Sequence, residues 1–194
     1  MAISYPISLP THTGIAQVEF RATNAVAYSQ SPFTFAGQSH AYAGQMWSAD
    51  VSLPPMHRAD AERWVAWLVS LRGQFGTFLL GDPLSTSPRG TATSATVSGS
   101  AGDASVSVTM TGTLLAGDYI QLGSSDGATL HKVLQDQSGS GTLEIWPKLR
   151  TARSSEAANL TSPQGKFRLS SNETSWSVNN ASIYGISFSA MEAI

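Results

Sequence analysis

One stretch of this chain, residues 47–90, contains the only segment with a clear helical pattern. Between residues 57 and 72, apolar side chains recur at the spacing of one helix face: Ala61, Trp64 or Val65, Leu68 and Leu71. Pro54-Pro55 would end a strand before this helix, and Gly73 suits the left-handed residue just after it. The stretch therefore predicts one helix between two strands, Trp47–Leu53 and Gly76–Leu80.

The segments on either side of this stretch have the alternation and turn signals of β-strands. Ile15–Ala27 predicts a half-buried strand, and Tyr28–Ala36 with Ser39–Met46 predicts a hairpin whose turn is Gly37-Gln38. Strand patterns return after Thr161 and continue to the last predicted strand, Ile183–Phe188.

Residues 94–150 differ in composition and contain about five short alternating segments separated by turns, the pattern of a small β-barrel or β-meander. The predicted fold class is mainly β: a β-sandwich with one docked α-helix (57–72) and this small β-domain inserted. The predicted domains are residues 1–90 plus 151–194 for the sandwich, and 94–150 for the insertion, because insertions are tolerated at surface loops whose ends lie close together.

Composition restricts the function classes. The 194 residues include no cysteine, which excludes disulfides and thiolate metal sites. Charged residues make up 12 % against roughly 25 % in typical domains, and the net charge of −2 gives no indication of nucleic-acid binding. This low charge fits a surface covered by neighbouring subunits; a polar, β-rich monomer is the alternative. No apolar run is long enough to span a bilayer, and the first residues do not have the pattern of a signal peptide.

No catalytic, cofactor-binding or metal-binding constellation is predicted, and we expect the chain not to be an enzyme. The four histidines (His12, His40, His57 and His131) lack metal-ligand spacing, and no G-x-S-x-G or phosphate-binding loop occurs. Gly123–Gly127 contains one carboxylate and predicts a β-turn rather than a calcium site. Carboxylate pairs assembled in space are not excluded by spacing alone.

Two sequence runs resemble a known family. The run Leu71–Pro83, LRGQFGTFLLGDP, follows the helix and is followed by Ser87-Pro-Arg-Gly90; later come LLAGDYIQLG (114–123) and LEIWPKLR (143–150). They resemble segments of distal tail proteins of long-tailed siphophages and related prophages, and together cover roughly half of the chain.

The resemblance implies a structural virion protein, made in the bacterial host cytoplasm, that forms a homo-oligomeric ring at the tail tip. Such rings are usually six-fold and join the tail tube protein to hub or fibre proteins. The resemblance implies no membrane insertion and no family catalytic residues, and host-glycan binding by the inserted domain is a possible addition.

Ring contacts are enriched in aromatic residues and arginine. We therefore predict that Arg72, Phe75, Arg89 and Trp146 lie near subunit contacts; the alternative places Phe75 in the core and both arginines in solvent. Two other functions stay open at this point. One is a carbohydrate-binding module built on residues 94–150, and the other is a tail-associated glycan hydrolase.

Overall fold

The computed structural model describes residues 3–11 and 14–194, and in them the chain is mainly β with one α-helix. The predicted fold class is confirmed: the strands form several sheets, one of them nearly closed like a barrel. The sequence also predicts an extended leader followed by a turn at Thr11–Thr13; of that turn, His12 and Thr13 lie outside the described residues.

The larger sheet combines strands from both ends of the chain. Its main spatial order is β1–β2–β15–β13–β4, and β3 and β14 each pair with β15. All of these pairs are antiparallel. In chain order the strands are β1 (Gln17–Gln30), β2 (Gly37–Ser52), β3 (Met56–His57), β4 (Thr77–Leu80), β13 (Gly165–Leu169), β14 (Trp176–Val178) and β15 (Ile183–Glu192).

Cross-strand pairing places apolar side chains on one face of this sheet. Phe20 lies opposite Ala49, which lies opposite Ala190, whereas Ser52 and Ser187 pair on the other face. Successive residues of a strand point to opposite faces, so the alternation in the sequence becomes one apolar and one polar face. The apolar face is covered by the helix at one end and by the second unit at the other.

The helix α1 (Arg58–Ser70) packs on the apolar face through its tryptophans. The ring centroid of Trp67 lies 5.0 Å from that of Phe78 and 5.5 Å from that of Phe188. The predicted helix and its buried face are confirmed, with Trp67 added to that face; the buried residues are Ala61, Trp64, Val65, Trp67 and Leu68. Arg72 and Gly73 both have positive φ, which turns the chain away from the helix axis.

The second unit has its own sheet and core. The sheet order is β12–β5–β6–β11–β9–β8, and β7 pairs with β10 separately. Its strands are β5 (Ala95–Gly99), β6 (Ser105–Met110), β7 (Thr113–Leu114), β8 (Tyr119–Leu122), β9 (Thr129–Val133), β10 (Gln137–Ser138), β11 (Gly141–Trp146) and β12 (Arg153–Ala158). A separate apolar cluster, running from Ala92 to Leu160 in sequence, fills it.

The second unit continues past residue 150, the predicted end of the insertion. Arg153–Ala158 pairs with Ala95–Gly99, so it belongs to this unit rather than to the sandwich. Its sequence, RSSEAA, has no large apolar residue and is interrupted by a register shift, which explains why the alternation pattern did not identify it. The insertion begins and ends side by side, because Leu80 on β4 pairs with Gly165 on β13.

An aromatic junction fastens the second unit to the larger sheet. Trp146 stands edge-on to Trp47, with ring centroids 4.4 Å apart, and the indole Nε1 of Trp47 donates to the Leu130 carbonyl at 2.9 Å. Tyr119, Leu130 and Trp146 come from the second unit but are buried in the core of the sheet.

A buried carboxylate adds polar bonds to this junction. Glu192, at the end of β15, accepts from the backbone N–H of Trp47 at 3.1 Å and from the Arg150 guanidinium at 2.7 Å. Arg150 also donates to the Gln45 carbonyl at 2.6 Å. Glu192 is 8 % exposed, so these charge-assisted bonds are what make its burial tolerable.

The predicted turn at Gly37-Gln38 is wrong. β1 continues to Gln30, and Gly37 pairs with Gln30 inside the hairpin, so the turn lies over residues 31–36. The Ser31 hydroxyl oxygen accepts from the backbone N–H groups of Phe33 and Thr34, which forms a serine turn. Because Phe33 and Phe35 alternate with Thr34, the segment has the sequence pattern of a strand, and the turn was therefore placed too late.

Replacing Trp47 should destabilise the whole chain. We expect Trp47→Ala to lower the free energy of unfolding by about 3–5 kcal/mol, because it removes a buried indole that both units contact. The matched control is Trp176→Ala, whose side chain is 41 % exposed and which should cost less than about 1 kcal/mol. Urea unfolding followed by far-UV circular dichroism measures both; equal costs would contradict the central role of the junction.

Candidate functional site

The outer part of the β1–β2 hairpin extends away from the rest of the fold. Residues 22–44, which we call the arm, are exposed throughout except for the half-buried Ser31. The pairing of β15 with β2 stops at Ser48, so beyond that point the hairpin consists of two strands alone. A two-stranded ribbon in water is marginally stable at best, so the arm is the least supported part of this sheet.

Both long edges of the arm are open. β1 is the terminal strand of its sheet, and in the described part of the chain no segment pairs with its outer edge. The outer edge of β2 is open from Gly37 to Gly44; nearer the sheet, the Gln45 carbonyl and the Trp47 N–H are bonded to Arg150 and Glu192. Unpaired backbone N–H and C=O groups of this kind can form hydrogen bonds with strands of another chain.

The arm carries no formal charge. Residues 22–49 include no Asp, Glu, Lys or Arg, and this segment is bounded by Arg21 and Asp50, which form an ion pair. Proteins that keep an edge strand in solvent usually protect it with lysine or another charged side chain. So long a ribbon without such protection is a candidate surface for pairing with another chain.

Large apolar side chains line the arm. On the scale of a fully exposed residue, the exposed fractions are Val26 52 %, Tyr28 64 %, Phe33 92 %, Phe35 73 % and Tyr42 58 %. An aromatic side chain can bury roughly 150–250 Å². The four aromatic residues alone therefore offer on the order of 500 Å² for contact with a partner.

The tip of the arm is a well-bonded turn that presents two phenylalanines. The N–H of Phe35 donates to the Ser31 carbonyl at 3.0 Å, and the Gln30 amide donates to the Phe35 carbonyl at 2.9 Å. Phe35 has φ of 57°, a conformation that a bulky residue seldom adopts. The turn thus holds Phe33 and Phe35 outward at a local conformational cost.

Two of the predicted contact residues share the loop after α1. Arg72 is exposed and Phe75 is 71 % exposed; the Phe75 ring touches the edge of Tyr5, with centroids 5.8 Å apart. The alternative that placed Phe75 in the core is therefore wrong for this residue. The loop is fixed by a bond from the Gln74 N–H to the Asn172 side chain at 3.1 Å.

Arg89 lies in a different loop and contacts Asp118. Its Nε and backbone N–H both donate to one carboxylate oxygen of Asp118, at 3.2 and 3.1 Å. Burial by itself would raise the pKa of Asp118, but hydrogen bonds from the N–H groups of Leu115 and Arg89 outweigh it and hold the pKa below its usual value. Arg89 therefore fastens the loop after β4 to the second unit.

Trp146 lies in the aromatic junction and is 9 % exposed. Its Nε1 donates to the Asn24 side chain at 2.7 Å, so it contacts the base of the arm within the same chain. The structure thus places Arg72 with Phe75, and Arg89 and Trp146 in two other locations. The prediction that these four residues lie near subunit contacts remains a prediction.

The exposed residues of the arm were not singled out by the sequence analysis. Alternation identified Phe33 and Phe35 as strand residues, and Tyr28 and Tyr42 received no role. One signal could have found the arm: a long strand-forming segment, residues 22–49, in which every charged residue type is missing.

The aromatic residues of the second unit do not form a sugar-stacking surface. Between residues 91 and 160 the aromatic side chains are Tyr119 and Trp146, and both are buried against the larger sheet. The Lys132 ammonium lies over the Tyr119 ring, 4.1 Å from the ring centroid, in a cation–π contact. The carbohydrate-binding alternative therefore gains no support from an exposed aromatic platform on this unit.

His131 is fully buried beside the junction. Its Nδ1 lies 2.7 Å from the Pro147 carbonyl, which can only accept, so Nδ1 carries the proton and Nε2 accepts from the Thr129 hydroxyl at 2.9 Å. Burial lowers the pKa of His131 to about 4, and the nearby Arg150 and Arg153 lower it as well, against the Pro147 bond.

Within the described residues, no group of three or more His, Cys, Asp or Glu side chains is placed to hold a metal ion. None of the helices in the described part of the chain is long and apolar enough to cross a membrane. Comparison with known proteins found no family model and no curated protein that matches this chain.

The buried histidine makes stability depend on pH. Between pH 6.5 and 4 the unfolded chain binds a proton at His131 that the folded chain does not, so stability falls as the pH falls through this range. The expected loss is about 3 kcal/mol in total, with no further contribution from this group below pH 4.

Urea unfolding at several pH values tests this dependence. His131→Gln should remove most of the slope between pH 6.5 and 4, whereas His40→Gln, at an exposed position on β2, should keep it. A His131→Gln slope equal to that of the unchanged chain would show that other groups cause the dependence.

Proposed function

We propose that this chain is a structural subunit of a ring at the distal end of a phage tail, joining the tail tube to hub or fibre proteins. The observation that carries the proposal is the arm: an exposed β-ribbon without charge and with two open edges. The role is one of assembly rather than catalysis.

The position of the open edges supports a head-to-tail assembly. The opposite end of the larger sheet is not free, because Ile7 pairs in parallel with Phe78 on β4. The N–H of Ile7 donates to the Thr77 carbonyl at 3.0 Å. The edge that remains open along the main path of this sheet is that of the arm, whose β1 and β2 edges are different surfaces. Contacts between two different surfaces of identical copies repeat around an axis, and they form a ring when the rotation between neighbouring copies closes.

The rigid attachment of the second unit supports the same role. Asn24 and Gln45 at the base of the arm bond to Trp146 and to the N–H of Lys148, at 2.7 and 2.8 Å. Each copy placed in a ring by its arm therefore places its second unit at a fixed position around that ring. Such a fixed outer layer is suited to holding hub or fibre proteins.

The family resemblance supplies the rest of the proposal. The run from Leu71 to Pro83 forms the end of α1, the exposed loop with Arg72 and Phe75, and β4. By resemblance the ring is six-fold, its neighbour on one side is the tail tube protein, and it resides in the virion. The carbohydrate-binding alternative has no specific observation in its favour.

A charge placed on the arm should prevent assembly without unfolding the chain. We expect Val26→Lys combined with Ala27→Lys to abolish the ring, because each interface would then have to take two uncompensated positive charges out of water. The control is Ser107→Lys with Thr109→Lys, at exposed positions of β6 in the second unit. Sedimentation velocity and negative-stain images compare the assemblies, and circular dichroism checks the fold.

Labelling of whole particles tests the location. An antibody to this chain should bind at the tail tip of negatively stained virions, with several copies at one axial level. Label on the capsid or along the tail shaft, or a chain that remains a strict monomer at high concentration with the tail tube protein present, would count against the proposal.

A further inference from the structure

We infer that, before it enters any ring, the free chain forms a two-fold dimer in which the β1 edges of two copies pair antiparallel. In this dimer the Phe33 side chain of each copy occupies an apolar groove at the base of the other copy's arm. The dimer itself is argued from the arm and the groove. Only the statement that ring assembly displaces the second copy rests on the proposed function.

The groove lies beside the start of β1. It has a volume of about 320 Å³ and lies between the strand and the turn at Asp82–Leu84. Its lining includes the apolar Ile15, Val18, Phe20 and Pro83 together with the polar Gln17 and Asp82, and Leu84 is 90 % exposed. The volume is sufficient for a phenylalanine ring, and the exposed leucine has no function within one chain.

The arm's own tip cannot fill this groove. β1 pairs with β2 from Gln17 to Gln30, which keeps the strand extended. At about 3.3 Å per residue, Gln30 lies roughly 40 Å from Val18. The phenylalanines and the groove are therefore at opposite ends of one rigid ribbon, and only a second molecule can bring them together.

Antiparallel pairing of the two β1 strands along their full length produces this contact. When Gln17 of one copy lies opposite Gln30 of the other, the turn after Gln30 comes beside Ile15 and the groove. The arrangement is isologous, so one two-fold axis forms both tip-to-groove contacts together and closes the assembly at two copies.

The same register avoids charge conflict. The charged residues of β1 are Glu19 and Arg21; Glu19 comes opposite Tyr28 of the second copy, and Arg21 opposite Val26. No like charges face each other, and the stem of Arg21 can cover an exposed valine.

The exposed area suits a dimer of standard size. The aromatic residues on β1 and in the turn, Tyr28, Phe33 and Phe35, offer on the order of 400 Å² per copy, and the backbone and small side chains of β1 add to this. A stable interface needs about 800 Å² per partner. The dimer would cover the outer edge of β1 until ring assembly, which uses that same edge, displaces the second copy.

Disulfide cross-linking tests the arrangement directly, because the chain contains no cysteine of its own. The double variant Phe33→Cys with Leu84→Cys should form an inter-chain dimer on mild oxidation. Phe33→Cys alone and Leu84→Cys alone should remain largely uncross-linked, since equivalent positions lie far apart in the antiparallel dimer. Cross-linking of Phe33→Cys alone at the same yield would show that the tips of two arms lie next to each other, which would overturn the inference. The ring proposal would not be affected by that result.

Sedimentation equilibrium provides a second measurement that does not need disulfide geometry. Phe33→Ser with Phe35→Ser should raise the dimer dissociation constant at least tenfold, because Phe33 then no longer fills the groove and the exposed Phe35 ring beside it is lost as well. The control Phe75→Ser changes a similarly exposed ring on another surface and should leave the constant within twofold. Equal effects of the two variants, or a monomeric unchanged chain, would overturn the dimer. Label at the tail tip, measured separately, decides the proposed function.

Discussion

The buried carboxylate of Glu192 connects three parts of this molecule. It lies at the end of the last strand, accepts from the Trp47 backbone where the arm joins the sheet, and pairs with Arg150 from the second unit. A buried charge is tolerated only when it is paired and fully hydrogen-bonded, so each partner is needed. Because Arg150 also holds the Gln45 carbonyl, the direction of the arm and the position of the second unit depend on one interaction. In the proposed ring, contacts made by the arm would therefore also position the second unit.

The sequence predicts the helix and the central strand well. It predicts the end of the inserted unit and the position of the hairpin turn poorly. The helix and the Trp47–Leu53 strand were found because their apolar residues follow the helical and strand periods over many positions. β12 was missed because Arg153–Ala158 packs with small and polar residues, and its pairing with β5 is set by distant contacts. The hairpin turn was misplaced because Ser31 forms it with side-chain hydrogen bonds that periodicity does not detect. Local patterns identify elements, whereas register depends on partners far away in the chain.

The candidate site shows the same limit. Phe75 and Arg72 were predicted from a sequence run and are exposed, but Trp146 is buried at a junction that no local pattern could reveal. The arm was missed although its signal is in the sequence, because charge was averaged over the chain. The low overall charge has a definite location: residues 22–49 lack charged residues, whereas Glu19, Arg21 and Asp50 stand at the base of the hairpin. Exposure alone distinguishes this uncharged segment from a buried strand, and exposure comes only from the fold.

The second unit is inserted between two strands that pair with each other. Leu80 and Gly165 are neighbours in the sheet, so the chain could in principle pass from one to the other through a short turn. This topology would allow the unit to be exchanged for another, or lost, without changing the order of strands in the larger sheet. The junction sets a chemical condition on such an exchange. Any replacement has to cover the Trp47 indole, accept its N–H and supply a cation for Glu192. Only a domain that makes these same contacts can replace the second unit.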